Sequence, residues 1–224
     1  MIVKVCGMRD SDNIRQVAAL GVDWMGMIFW DKSPRNVTMI PSHAGIIPDK
    51  AAKEVAKTET PHIKRVGVFV DEMAQNIITR VSNFNLDIVQ LHGHETPTLI
   101  RNLRRTIDPD IKPGIKIMKA ISVSSREDIA NYKVYADCVD YFLFDTKCPT
   151  VGGSGQQFDW SVLEAYDGEV PFLLSGGIGP DDAERIRAFH HPMCIGIDLN
   201  SRFETAPAMK DVTLISQFLS QISH

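Results

Sequence analysis

Short apolar runs of β type recur along the chain at 2–5, 24–29, 63–70, 88–91, 115–119, 141–144, 171–174 and 194–197. Segments with helical spacing of apolar residues separate them, at 12–20, 72–81, 96–104, 125–132, 159–165 and 181–188, and a last one spans 210–222. Runs that are apolar throughout suit strands buried on both faces, and strands alternating with amphipathic helices predict parallel βα units. Eight such units point to an α/β fold: one domain, 1–224, built as a closed parallel barrel inside a ring of helices. Ser125 followed by Asp128, and Pro180-Asp181-Asp182, mark helix starts. The stretch 31–61 carries Pro34, Pro41, Pro48 and Pro61 and reads as a long loop with a modest helix near 50–58. A doubly wound open sheet is the structural competitor, but Gly7 alone after the first strand is not a dinucleotide fingerprint.

In a parallel barrel the reactive groups belong to the C-terminal ends of the strands. Cys6 ends the first run, Arg35 lies in the second loop, Gln90 and His92 end the fourth run and Asp145 the sixth, so all five are expected at one mouth. A carboxylate at the end of 141–144 is costly to bury without a partner. Three glycine clusters follow the last three strands: Gly152-Gly153-Ser154-Gly155, Ser175-Gly176-Gly177 and Gly196-Ile197-Asp198. Backbone amides gathered there suit a phosphate or other small anion. His92 and His94 form an H-x-H pair, but no matching ligand set accompanies them and no metal is expected. His190-His191-Pro192 reads as surface, Trp24 as packing, and Trp160 as the anchor of the sixth helix.

The 24 basic and 28 acidic residues give a formal charge of -4, with no basic block interleaved with aromatics, which argues against a nucleic-acid partner. No run is long enough to cross a bilayer and Met1 to Cys6 has no signal-peptide shape, so a cytoplasmic location is expected, as monomer or homodimer. The cysteines Cys6, Cys138, Cys148 and Cys194 lack knuckle spacing, and a core of this size needs no disulfide.

Several segments, in order, carry a resemblance: Lys4-Val5-Cys6-Gly7-Met8, Lys32-Ser33-Pro34-Arg35, Val66-Gly67-Val68-Phe69, Val89-Gln90-Leu91-His92-Gly93, Phe144-Asp145-Thr146-Lys147, Gly152 to Gly155 with Phe158-Asp159-Trp160, and Leu174-Ser175-Gly176-Gly177-Ile178. Together they resemble the phosphoribosylanthranilate isomerase family of tryptophan biosynthesis over essentially the whole chain. The resemblance implies a (β/α)8 TIM barrel that converts N-(5-phosphoribosyl)anthranilate into 1-(2-carboxyphenylamino)-1-deoxyribulose 5-phosphate by an Amadori rearrangement, with no cofactor. It implies Cys6 as general base and Asp145 as general acid, and Arg35, Gln90 and His92 at the substrate. Phosphate contacts are implied at Gly153, Ser154, Gly155, Gly176, Gly177, Asp198, Asn200 and Ser201.

The chemistry fits those roles. Protonating the ring oxygen opens the furanose to a Schiff base, and removing the C2 proton gives an enolamine that tautomerises to the ketone. A base near neutral pH asks for a cation near the thiol, and an acid asks for burial or negative charge near the carboxyl. The chain departs from the family at Asp198-Leu199-Asn200-Ser201-Arg202-Phe203-Glu204, where a glycine is usual at Arg202, and at Pro207-Ala208. Two competing readings are the related isomerase of histidine biosynthesis, which expects an aspartate at Cys6, and a noncatalytic phosphate-binding barrel.

Overall fold

The structure, a computed structural model, describes residues 1–38, 63–146 and 159–223. Eight parallel strands close into a barrel: β1 (Ile2–Val5), β2 (Trp24–Phe29), β3 (Lys64–Phe69), β4 (Ile88–Leu91), β5 (Lys116–Val123), β6 (Tyr141–Thr146), β7 (Phe172–Leu174) and β8 (Cys194–Leu199). Each pairs with the next, and β8 closes on β1 with Asp198 opposite Lys4. Helices α1 (Ser11–Ala18), α2 (Ala74–Phe84), α3 (Pro97–Ile107), α4 (Arg126–Ile129), α5 (Ala183–Ala188) and α6 (Val212–Ile222) accompany it. The expected helix near 50–58 lies outside the described residues.

Because side chains alternate along a strand, each strand feeds two apolar layers. One set, including Val5, Met27, Phe69, Leu91, Phe144 and Leu174, packs under the helices. The other fills the barrel: Cys6, Trp24, Val66, Val68, Ile88, Met118, Ala120, Leu143 and Leu173. That double burial is why the strands read as predominantly apolar runs, interrupted at Lys4, Arg65, Gln90 and Lys119. The helices bury one stripe each, such as Ile100, Leu103 and Ile107 of α3.

Polar side chains fix the ends. Asp10 caps α1, Thr96 caps α3 ahead of Pro97, and Asp211 caps α6. The Ser125 and Asp128 capping box opens α4. At the opposite barrel face a repeated device staples alternate strands. The aspartates that precede β2, β4 and β6, namely Asp23, Asp87 and Asp140, accept from the amides of Val3, Arg65 and Ile117 at 2.7, 2.8 and 2.8 Å.

Several expected elements are corrected. The segment 125–132 is one α-turn continued as a 3-10 helix (Ala130–Val134), and 159–165 is a 3-10 helix (Trp160–Ala165). The last helix starts at Val212 rather than Lys210, because Lys210 belongs to an unexpected hairpin of β9 (Glu204–Ala206) and β10 (Met209–Lys210). Trp24 packs inside the barrel. Trp160 is buried at the start of its 3-10 helix with the Arg185 guanidinium 3.7 Å from its ring centroid. His190 is exposed, whereas His191 is half-buried and bonded to the Tyr166 carbonyl.

Candidate active site

The C-terminal ends of the strands bring Cys6, Gln90, Asp145 and Asp198 to one rim, with His92 directly after β4. Strand β6 runs two residues past the expected end, so Asp145 is part of the strand, opposite Ser122 of β5. Its Oδ1 accepts from the Thr146 amide at 2.9 Å and from Ser175 Oγ at 3.4 Å. Oδ2 lies 3.2 Å from His92 Nε2. Gln90 Nε2 and His92 Nδ1 are 3.1 Å apart, so the side-chain amide holds the imidazole with its Nε2 toward Asp145. Gln90 Oε1 is buried and has no partner among the described residues. His94 turns away to pair with Asp71 at the surface, so the H-x-H pair does not converge.

Cys6 is 4% exposed and continues the β1 ladder, its amide donating to the Leu199 carbonyl at 2.8 Å. A Cβ on Gly26 would sit 2.7 Å from Cys6 Sγ, so the neighbouring strand needs glycine there to leave room for the sulfur. Lys4, two residues earlier on the same face of β1, has no exposed surface and donates to Asp198 Oδ1 at 2.9 Å. Burial pushes the Cys6 thiol up. Lys4 pulls it down, Asp198 pushes it up again and Lys210 opposes, and the outcome is a thiol above its ordinary range. The expectation that nearby cations depress it is half met: the cations are present, and desolvation outweighs them. Burial disfavours the Lys4 ammonium, but Asp198 and Cys6 more than restore it, so Lys4 stays protonated.

Arg35 reaches the same rim from the second loop. Its Nε donates to both carboxylate oxygens of Glu204, at 3.0 and 3.1 Å, and its Nη2 to Oε2 at 2.7 Å. Glu204 also takes a bond from Lys210 Nζ, which in turn donates to Asn200 Oδ1 at 2.9 Å. Gly7, with φ at 77°, passes beneath this cluster, and a Cβ there would lie 2.7 Å from Arg35 Cδ and 2.8 Å from Asn200 Oδ1. Lys4, Glu204 and Lys210 were not singled out in the sequence. The signal for Lys4 was legible: a charge at an inward position of an otherwise apolar strand.

On the other side, Gly176 and Gly177 both have positive φ, at 92° and 68°. A Cβ on Gly176 would fall 2.6 Å from the Thr146 amide nitrogen and 3.1 Å from Asp145 Oδ1. Ser201 opens a 3-10 helix (Ser201–Phe203) after β8. The side chains of Asp198 and Asn200 accept from Lys4 and Lys210, where a carboxylate and an amide oxygen complement cations. Gly153, Ser154 and Gly155 lie outside the described residues. The aliphatic part of Arg202 lies close to Gly179, across the seventh and eighth loops.

Residues 3–221 match the family model of N-(5'-phosphoribosyl)anthranilate (PRA) isomerase. The chain belongs to the phosphoribosylanthranilate isomerase family. It is 44% identical over 224 residues to the N-(5'-phosphoribosyl)anthranilate isomerase of Parabacteroides distasonis, covering all of this chain (100%) and 94% of that protein. The corresponding isomerase of Phocaeicola vulgatus is 41% identical over 99% of this chain and 98% of its own length. Among solved structures, phosphoribosyl anthranilate isomerase from Thermotoga maritima superposes with a TM-score of 0.77 at 29% identity, over 100% of this chain and 99% of that one. A phosphoribosyl anthranilate isomerase solved with reduced 1-(o-carboxyphenylamino)-1-deoxyribulose 5-phosphate superposes with a TM-score of 0.73 at 26% identity, over 100% and 99% of the two chains. Phosphoribosylanthranilate isomerases rearrange N-(5-phosphoribosyl)anthranilate to the aminoketose 1-(2-carboxyphenylamino)-1-deoxyribulose 5-phosphate in tryptophan biosynthesis, and this chain is an isomerase of that kind.

Proposed function

We propose that this isomerisation runs on Cys6 as the base and Asp145 as the acid. Asp145 gives its proton to the ring oxygen, the C1–O bond breaks, and the nitrogen lone pair forms a protonated imine at C1. The Cys6 thiolate then takes the proton from C2. The C–H electrons become a C1=C2 double bond while the imine electrons return to nitrogen, so the electron sink lies within the substrate. Loss of the C2 hydroxyl proton and arrival of a proton at C1 complete the ketone.

One observation carries this reading. The two reactive groups stand at one strand-end rim of the barrel, Cys6 buried on the face of β1 that carries the Lys4–Asp198 pair, and Asp145 partly exposed against His92 and Ser175. Titratable groups gathered at a strand-end rim are characteristic of sites that move protons. His92 Nε2, 3.2 Å from Asp145 Oδ2, is placed to donate to a group that must become a carboxylate during ring opening. Arg35, oriented by Glu204, is assigned to the anthranilate carboxylate, for which a guanidinium fork is well shaped. Gln90 orients His92 against substrate. The phosphate is assigned to amides near Gly153, Ser154, Gly155, Gly176, Gly177, Asp198, Asn200 and Ser201.

The protein is expected to act in the cytoplasm on a small-molecule substrate, as monomer or homodimer, with no nucleic-acid partner. Among the described residues no helix is long and apolar enough to cross a membrane. Turnover of N-(5-phosphoribosyl)anthranilate by Cys6→Ser and Asp145→Asn tests the assignment. Each should lose on the order of 10² to 10⁴ in kcat with KM much less affected. Near-normal kcat in either variant removes that residue from its role.

A further inference from the structure

Lys4 is used by neither step above, yet it projects into the barrel with none of its surface exposed. A buried ammonium is costly unless it is paired and hydrogen-bonded. Its register partner across the closing seam is Asp198, whose Oδ1 accepts from Nζ at 2.9 Å. Cys6 follows two residues later on the same face of β1, within the field of the same ammonium. One cation therefore serves two acids.

We propose that Lys4 is a positioning residue for the isomerisation: held by Asp198, its ammonium is the countercharge that lets the Cys6 thiol ionise inside the barrel. The proposal rests on Cys6 being the base. Among the described residues the charged groups that act on Cys6 are Lys4 of β1, Asp198 of β8 and Lys210 of β10. Lys210 acts on the thiol less than Lys4 and Asp198 do, and its Nζ is already engaged by Glu204 and Asn200. Lys4 therefore supplies the principal positive charge, and Asp198 has two opposed effects: it anchors Lys4, and it repels a thiolate.

Those opposed effects give a test that packing alone does not mimic. The pH dependence of Cys6 alkylation by iodoacetamide reports the thiolate fraction, read on the Cys6 peptide by mass spectrometry so that Cys138, Cys148 and Cys194 do not contribute. Lys4→Met should move the midpoint up and slow alkylation near pH 8 by about tenfold, and Lys4→Arg, which keeps a cation, should recover most of the loss. Asp198→Asn should move the midpoint down and speed alkylation. The alkaline limb of kcat should shift in the same directions. Superimposable profiles for Lys4→Met and the unaltered protein overturn the proposal, as does an Asp198→Asn profile that shifts upward. If Lys4→Met does not fold, the Asp198→Asn profile decides alone, and no acceleration counts against the proposal. Turnover of Cys6→Ser separates the two ideas. If it is near normal while Lys4→Met still slows alkylation, Cys6 is not the base and Lys4 governs a thiol outside the reaction, which ends its positioning role.

Discussion

Replacing Glu204 by Gln removes one negative charge from between two cations and changes little in volume. Glu204 accepts three bonds from Arg35 and one from Lys210, and its side chain is 5% exposed. Burial pushes its carboxyl up, but the Arg35 bonds and the Lys210 charge outweigh that and hold it below the usual range. Lys210 is fully buried and is pulled down by burial against the attraction of Glu204. A glutamine would turn an N–H toward a donor on one side and leave both cations short of a counterion. Breaking a buried pair this way typically costs 3–5 kcal/mol, and because Lys210 keeps Asn200 the lower figure applies, about 3 kcal/mol. For a chain of this length that corresponds to a fall in Tm of about 6–12 °C. Urea unfolding with unchanged m-value and a thermal melt measure it, and KM for substrate should rise as Arg35 loses its orientation. A loss below about 1 kcal/mol with unchanged KM would refute the idea that Glu204 holds Arg35 in place.

Three further outcomes are expected. Gly176→Ala forces a side chain into φ of 92° and against the Thr146 amide beside Asp145, so kcat should fall by about tenfold or more while unfolding free energy drops by about 1–3 kcal/mol; unchanged kinetics would count against that contact. Asp140 is pushed up by burial but held low overall by the Ile117 amide, Arg104 and Lys116. Its stabilisation is therefore present above the ordinary carboxylate range and lost as pH falls through its depressed value, and Asp140→Asn should flatten the acid limb of an unfolding curve measured against pH. Arg202→Gly should change the substrate dissociation constant by less than about threefold, measured by fluorescence titration; a tenfold rise would make Arg202 a phosphate ligand.

All eight strands were legible in sequence because a strand buried on both faces needs no partner to reveal itself: Tyr141 to Phe144 or Phe172 to Leu174 is apolar at every position. Cys6, Gln90 and Asp145 could be placed at one rim because strand order fixes where strand ends go. The hairpin carrying Glu204 and Lys210 was not legible. Its strands have three and two residues and surround Pro207, too short for a period, and Lys210 imitates the polar first residue of α6. Its burial depends on Arg35 and Asn13, both far away in the chain. The pairing of Asp198 with Lys4, 194 positions earlier, was not legible for the same reason, since it forms only where β8 closes on β1. The raised thiol of Cys6 follows from complete burial in the barrel, a property of the closed sheet rather than of any local segment.

The central claim is that Cys6 takes the proton from C2. Single-turnover reaction of N-(5-phosphoribosyl)anthranilate carrying deuterium at C2 follows that transfer directly, as release of deuterium to solvent. The unaltered protein should release the label with a primary isotope effect, and Cys6→Ser should release it slower by about 100-fold or more although it still binds substrate. Release by Cys6→Ser at the unaltered rate would contradict the account and assign the proton to another group.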